Sequence, residues 1–171
     1  MNCSILIGML CFLVLSAILY IFVKNRGSSI KIVVGELYHF ILKLERYISQ
    51  MTPDDFYKNL DTISNYLTKV INVLLFINKV FPGITVAKNL EILCSLISGV
   101  IRRIYNIKHN PCDTTKEHNA IMSNMTATKG CMRNIMENFR IPLLVISLSD
   151  SVDKEELDQI SENLKDMISS K

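Results

Sequence analysis

The chain has 171 residues, 49% of them apolar, 20% charged and none of them tryptophan, with a formal net charge of +3. So large an apolar share excludes a disordered polypeptide, and the length suits one ordinary domain with a core of its own beyond any targeting segment. The charge is uneven: seven acidic and three basic residues lie between Asp150 and Lys171, leaving a basic body before them that suits either plain solvation or contact with anionic headgroups.

Nineteen uncharged residues run from Ile5 to Val23, stopped by Lys24 and Arg26. As a helix at about 1.5 Å per residue they reach about 28 Å, the thickness of a hydrocarbon core. A helix also satisfies every backbone polar group internally, as lipid demands. A cleaved secretory signal normally has a basic n-region and an apolar core of about 7–15 residues. Met1 to Ser4 carries no charged side chain, so residues 1–26 read as a retained membrane anchor. Cleavage after Ser16 or Ala17 is the alternative and makes the chain a secreted helical factor. Lys24, Arg26 and Lys31 all follow the span. The positive-inside rule therefore places the C-terminal domain in the cytosol, as a single-pass membrane protein.

Residues 27–29 form a short flexible joint. Ile30, Val34, Leu37, Ile41, Leu44, Ile48 and Met51 then recur four and three apart, the stripe of an amphipathic helix. Thr52-Pro53-Asp54-Asp55 predicts a new helix start, with Thr52 as cap, Pro53 in the first turn and both acids at the positive end of the dipole. A second helix carries Phe56, Leu60, Ile63, Leu67, Val70, Leu74, Ile77 and Phe81 to a stop at Pro82-Gly83. The third has Val86, Leu90, Leu93, Ile97, Val100, Ile104 and Ile107, widened by Ile92, Cys94, Leu96 and Ile101. That width marks a central helix, while Lys88, Glu91, Arg102 and Arg103 oppose a second membrane span.

His109 to Thr115 is a polar interruption turned at Asn110-Pro111. A weaker fourth helix runs to about Phe139 through Ile121, Met125, Thr128, Met132 and Ile135, with Gly130 its expected weak point. Ile141 to Leu148 is a short apolar run read as helix for want of a partner strand. An acidic amphipathic helix closes the chain from about Val152 to Ser169, striped by Leu157, Ile160, Leu164 and Met167. The tight connections predict antiparallel neighbours. The fold expected is all-α: an N-terminal transmembrane helix, then an antiparallel bundle of four to five helices over residues 30–149, with the acidic helix in residues 150–171.

Few residues suggest chemistry. His109, Cys112, His118 and Cys131 are the one group with zinc-ligand residue types, but their spacing lacks a paired Cys-x-x-Cys. Cys112 or Cys131 with His118 offers a thiol and a base, without an oxyanion-hole motif. Phosphate-loop, dinucleotide, Gly-x-Ser-x-Gly and His-Glu-x-x-His patterns are missing. The five cysteines, Cys3, Cys11, Cys94, Cys112 and Cys131, leave an odd three after the anchor, which suits a reducing compartment better than a disulfide framework. A lumenal domain would make Cys112–Cys131 the pair to test and Asn124 a glycosylation acceptor. Lys88, Arg102, Arg103 and Lys108 lack the interleaved aromatics of a nucleic-acid surface.

Met122, Met125, Met132 and Met136 concentrate in the fourth helix as a candidate interaction face or as gap fillers, and any groove is expected beside that helix, held by the acidic last helix or left to a partner. The expectation is a non-enzymatic protein-interaction or regulatory module, held in a membrane through residues 5–23. It takes no cofactor, nucleic acid or small-molecule substrate, and it engages a protein partner or itself. The alternative is a membrane-active bundle inserting the hairpin from Leu67 to Ile107. In outline that hairpin is similar to apoptosis-regulator bundles; none of their short motifs is present, so the likeness implies fold alone.

Overall fold

The computed structural model describes residues 29–81, 83–110, 113–141 and 152–169. The expected anchor at residues 5–23 and the apolar run at 142–148 lie outside the described residues. The chain divides into two units, Met1–Ile32 and Val33–Lys171, and the packing below is that of the second.

All six described elements are helices, and no strand occurs among the described residues. They are α1 (residues 29–49), α2 (Pro53–Lys58), α3 (Leu60–Val80), α4 (Ile84–His109), α5 (Thr114–Asn138) and α6 (Lys154–Ser169). Their stripes meet in one core. Val34, Leu37, Ile41, Leu44 and Ile48 of α1, Ile63, Leu67, Val70, Leu74 and Ile77 of α3, Leu93, Ile97 and Val100 of α4, and Ile121 and Ile135 of α5 are all buried.

Polar contacts between helices give the directions. Asp61 near the start of α3 meets Lys108 near the end of α4, and Arg103 late in α4 meets Glu117 early in α5. Cys131, late in α5, lies against the Asn89 carbonyl early in α4. In turn Ile48 of α1 meets His118 of α5, while Glu45 meets Thr126 and Lys129. Each of these pairs is therefore antiparallel. Phe40 of α1 against Tyr66 of α3 closes the ring, so α1, α3, α4 and α5 form a four-helix bundle. α6 runs parallel to α3, for Tyr66 pairs with Asp158 and Lys69 with Glu162 in the same order along both helices.

Thr52 caps α2 as its sequence predicts, its Oγ1 accepting from the Asp55 N–H at 3.2 Å. The single expected helix from Pro53 to Phe81 is instead two. Asn59 interrupts it at φ −101°, ψ 9°. Its backbone N–H is shared between the Asp55 and Phe56 carbonyls, and its side-chain amide also donates to the Asp55 carbonyl at 2.8 Å. Asparagine competes with the helical ladder in this way.

The weak point expected at Gly130 is not a break, because α5 continues through it. One glycine costs about 1 kcal/mol relative to alanine, less than the packing of a 25-residue helix supplies. Nothing lies within 4 Å of where a Gly130 Cβ would stand. Gly130→Ala is therefore expected to stabilise the protein by about 0.5–1 kcal/mol, read as a higher midpoint in denaturant unfolding.

By length and composition α3 is the one described helix apolar enough to cross a membrane. Its apolar stripe, however, lies in the bundle core, and Lys69 and Lys79 stand on its other faces.

Candidate functional site

α6 is amphipathic, with Leu157, Ile160 and Leu164 buried on one face and acids on the rest. Asp153 starts it by accepting from the Glu156 N–H at 2.8 Å. The apolar face sits over α1 and α3, and a polar seam runs along the joint. Lys43 Nζ of α1 donates to Glu156 of α6. The Tyr66 hydroxyl of α3 donates to Asp158 at 2.8 Å, and Lys69 pairs with Glu162 at 3.4 Å. At the start of α6 the Val152 N–H donates to the Gln50 side chain at 3.3 Å.

Lys43 is the unusual member, only 5% exposed. An ammonium taken so far from water requires a partner, and Glu156 is the one it finds. Tyr66 is buried as well, edge-on to Phe40 with ring centroids 5.8 Å apart. Burial and the Asp158 carboxylate beside it raise its phenol far above the ordinary range, so it remains a neutral donor.

The fit of α6 is incomplete in two ways. A cavity of about 240 Å³ remains among Phe40, Val70, Val73, Ser161, Leu164 and Ile168, with Lys69 and Lys165 also lining it. The second sign is polar: among the described residues, the buried side-chain nitrogen and oxygen atoms without a hydrogen-bond partner are His39 Nε2 and Ser161 Oγ. Ser161 belongs to α6. His39 lies one helical turn before Lys43 and feels the Glu156 charge. Ser161 lies where the last helix meets the bundle, and His39 is near enough to that joint to feel Glu156.

Burial lowers the His39 pKa from its ordinary value, with Lys43 adding to the effect and Glu36 and Glu156 opposing it. The unfolded chain therefore binds a proton at higher pH than the folded one. The stability tied to this imidazole is fully present above the unfolded pKa, about 6.5. It is lost progressively as pH falls from there through the lower folded pKa. Between pH 7.5 and 5 the wild-type chain should lose stability, and His39→Gln should flatten that part of the profile. Denaturant midpoints across the range check it.

Among the described residues, the histidines and cysteines singled out by sequence do not come together. His118 is in the first turns of α5, buried, its ring 4.8 Å from Phe56 and its Nε2 3.1 Å from the Ile48 carbonyl. Cys131 lies thirteen residues along the same helix, about 20 Å away at 1.5 Å per residue. The two cannot share a metal ion. His109 ends α4 against the Tyr105 ring, and Cys112 lies outside the described residues. Burial raises the Cys131 thiol pKa, the opposite of what an attacking thiolate needs.

Of the two roles offered by the sequence, the methionines of α5 take the gap-filling one. Met125, Met132 and Met136 are buried and Met122 half-buried, because they continue the core stripe of Ile121 and Ile135. Of the basic cluster, Arg103 is paired with Glu117 and Lys108 with Asp61, so part of that charge is spent between helices. An open cleft of about 290 Å³ beside Gly99, Arg102, Arg103 and Asn106 contains Glu117 as well and has no unpartnered buried group. The groove under α6 is thus the best-formed candidate; the sequence places such a groove beside the fourth helix, whereas α6 lies on α1 and α3. No family model, curated protein or solved structure matches this chain.

Proposed function

We propose that this protein is a single-pass, membrane-anchored helical bundle that works without catalysis, by binding a partner's amphipathic helix in the groove now held by α6. The anchor is residues 5–23, the domain beyond it is cytosolic, and the C-terminal helix regulates access. The observation that carries the reading is the misfit of α6, with its cavity and two orphaned polar atoms. A helix that leaves such defects is easier to exchange than one that fills its seat. The groove also states what it accepts: apolar residues spaced like Leu157, Ile160 and Leu164, flanked by acids that reach Lys43, Tyr66 and Lys69.

A labelled peptide of residues 152–169 tests this by titration against two full-length chains. Leu157→Asp, whose own α6 is displaced, should bind the peptide saturably. Wild type should bind it at least about tenfold more weakly, because its groove is open only a fraction of the time. Equal affinity for both chains, or binding to neither, would remove the reading.

A second reading, insertion of the α3–α4 hairpin into lipid, draws on the length and composition of α3. Dye release from liposomes between pH 5 and 7 supports it, and intact vesicles across that range dismiss it.

A further inference from the structure

The antiparallel pairings determine which chain ends lie together. Since α1 and α4 both run opposite to α5, the turn that starts α4 lies at the end where the chain enters α1. Phe81 precedes that turn, and its ring lies 5.1 Å from that of Phe139, just past the end of α5. Gln50 and Val152 pair at the opposite end.

Exposed apolar side chains are divided between these two ends. Among the described residues after Val33, the exposed Leu, Ile and Phe side chains are Leu75 (57%), Phe81 (41%) and Ile92 (45%). Leu75 belongs to the last turns of α3, Phe81 to the turn, and Ile92 to the first third of α4. The exposed large side chains toward the other end are Tyr57 and Tyr105, whose hydroxyls water solvates. Lys79, Lys88 and Arg140 are exposed around the Phe81–Phe139 end. The acids on the elements that reach this end are Glu36 at the start of α1, Glu91, Glu137 and Asp166 near the end of α6, and Glu137 is paired with Arg133. Aromatic and aliphatic side chains ringed by cations suit the headgroup layer of an anionic bilayer.

We infer that this end of the bundle, led by Phe81 and Leu75, rests on the surface of the membrane that holds the anchor. The inference depends on the anchor proposed above. Nine residues lie between Val23 and Val33, and the ten steps they make allow at most about 35 Å between the proposed anchor and the first residue of the bundle.

The absence of tryptophan allows a direct test with the full-length protein in vesicles containing anionic lipid brominated on its upper acyl chain. Phe81→Trp should emit at shorter wavelength and be quenched by the bromine. Tyr105→Trp, at the far end, should not. Leu75→Trp serves as a second reporter and should follow Phe81→Trp, and adding Lys79→Glu with Lys88→Glu should at least halve the quenching. If the protein floats with the vesicles but Phe81→Trp and Leu75→Trp are quenched no more than Tyr105→Trp, the inference is overturned while the anchor stands. Protein that does not float with the vesicles overturns both.

Discussion

Leu157→Asp is expected to free α6 from the bundle without unfolding the rest. Leu157 is fully buried, and an unpaired carboxylate forced into such a position costs more than about 4 kcal/mol. A central helix has no escape from that penalty except global unfolding. α6 has one, because leaving its groove returns the carboxylate to water. The cost is therefore capped by the free energy of docking. The checks are protease susceptibility confined to residues beyond Val152 and a far-ultraviolet spectrum that loses at most the share of one helix. The same change at Leu67, a fully buried residue of α3, should abolish cooperative folding.

The second large effect lies in the buried ion pair. Glu156→Ala should cost about 2–4 kcal/mol, because it leaves the Lys43 ammonium buried without its counter-charge. Lys43→Met should be close to neutral, since the abandoned Glu156 side chain is 37% exposed and stays solvated. Combining the two should restore most of the stability lost in Glu156→Ala. Denaturant midpoints of the four proteins form a double-mutant cycle. A symmetric loss from both single changes would mean that the pair is a net attraction and not a desolvation problem.

These residues also show how much of the fold and site was legible in advance. Stripes three and four apart named the helices because burial of one helical face leaves that period, and Thr52-Pro53 marked a start because its cap is local. Asn59 was missed: a spacing argument sees side chains on a face, while the break comes from a side-chain amide bonding to a carbonyl within its own turn. Gly130 was overweighted, since propensity is small beside tertiary packing.

The α6 groove was hidden for another reason. Lys43 and Glu156 are 113 residues apart, and no periodicity links them. The sequence does carry one sign of it: Phe40, Lys43 and Tyr47 form a second stripe on α1, beside the main one, as expected of a helix with neighbours on two sides. Of the anchor, composition and flanking charge are the whole argument.

The central claim is that α6 is an imperfect and exchangeable occupant, and amide hydrogen exchange of the full-length protein addresses it most directly. Residues 154–169 should exchange at least about a hundredfold sooner than residues 60–80, through openings that leave α3 and α4 protected. Exchange of both segments at one common rate, released only by global unfolding, would contradict the account.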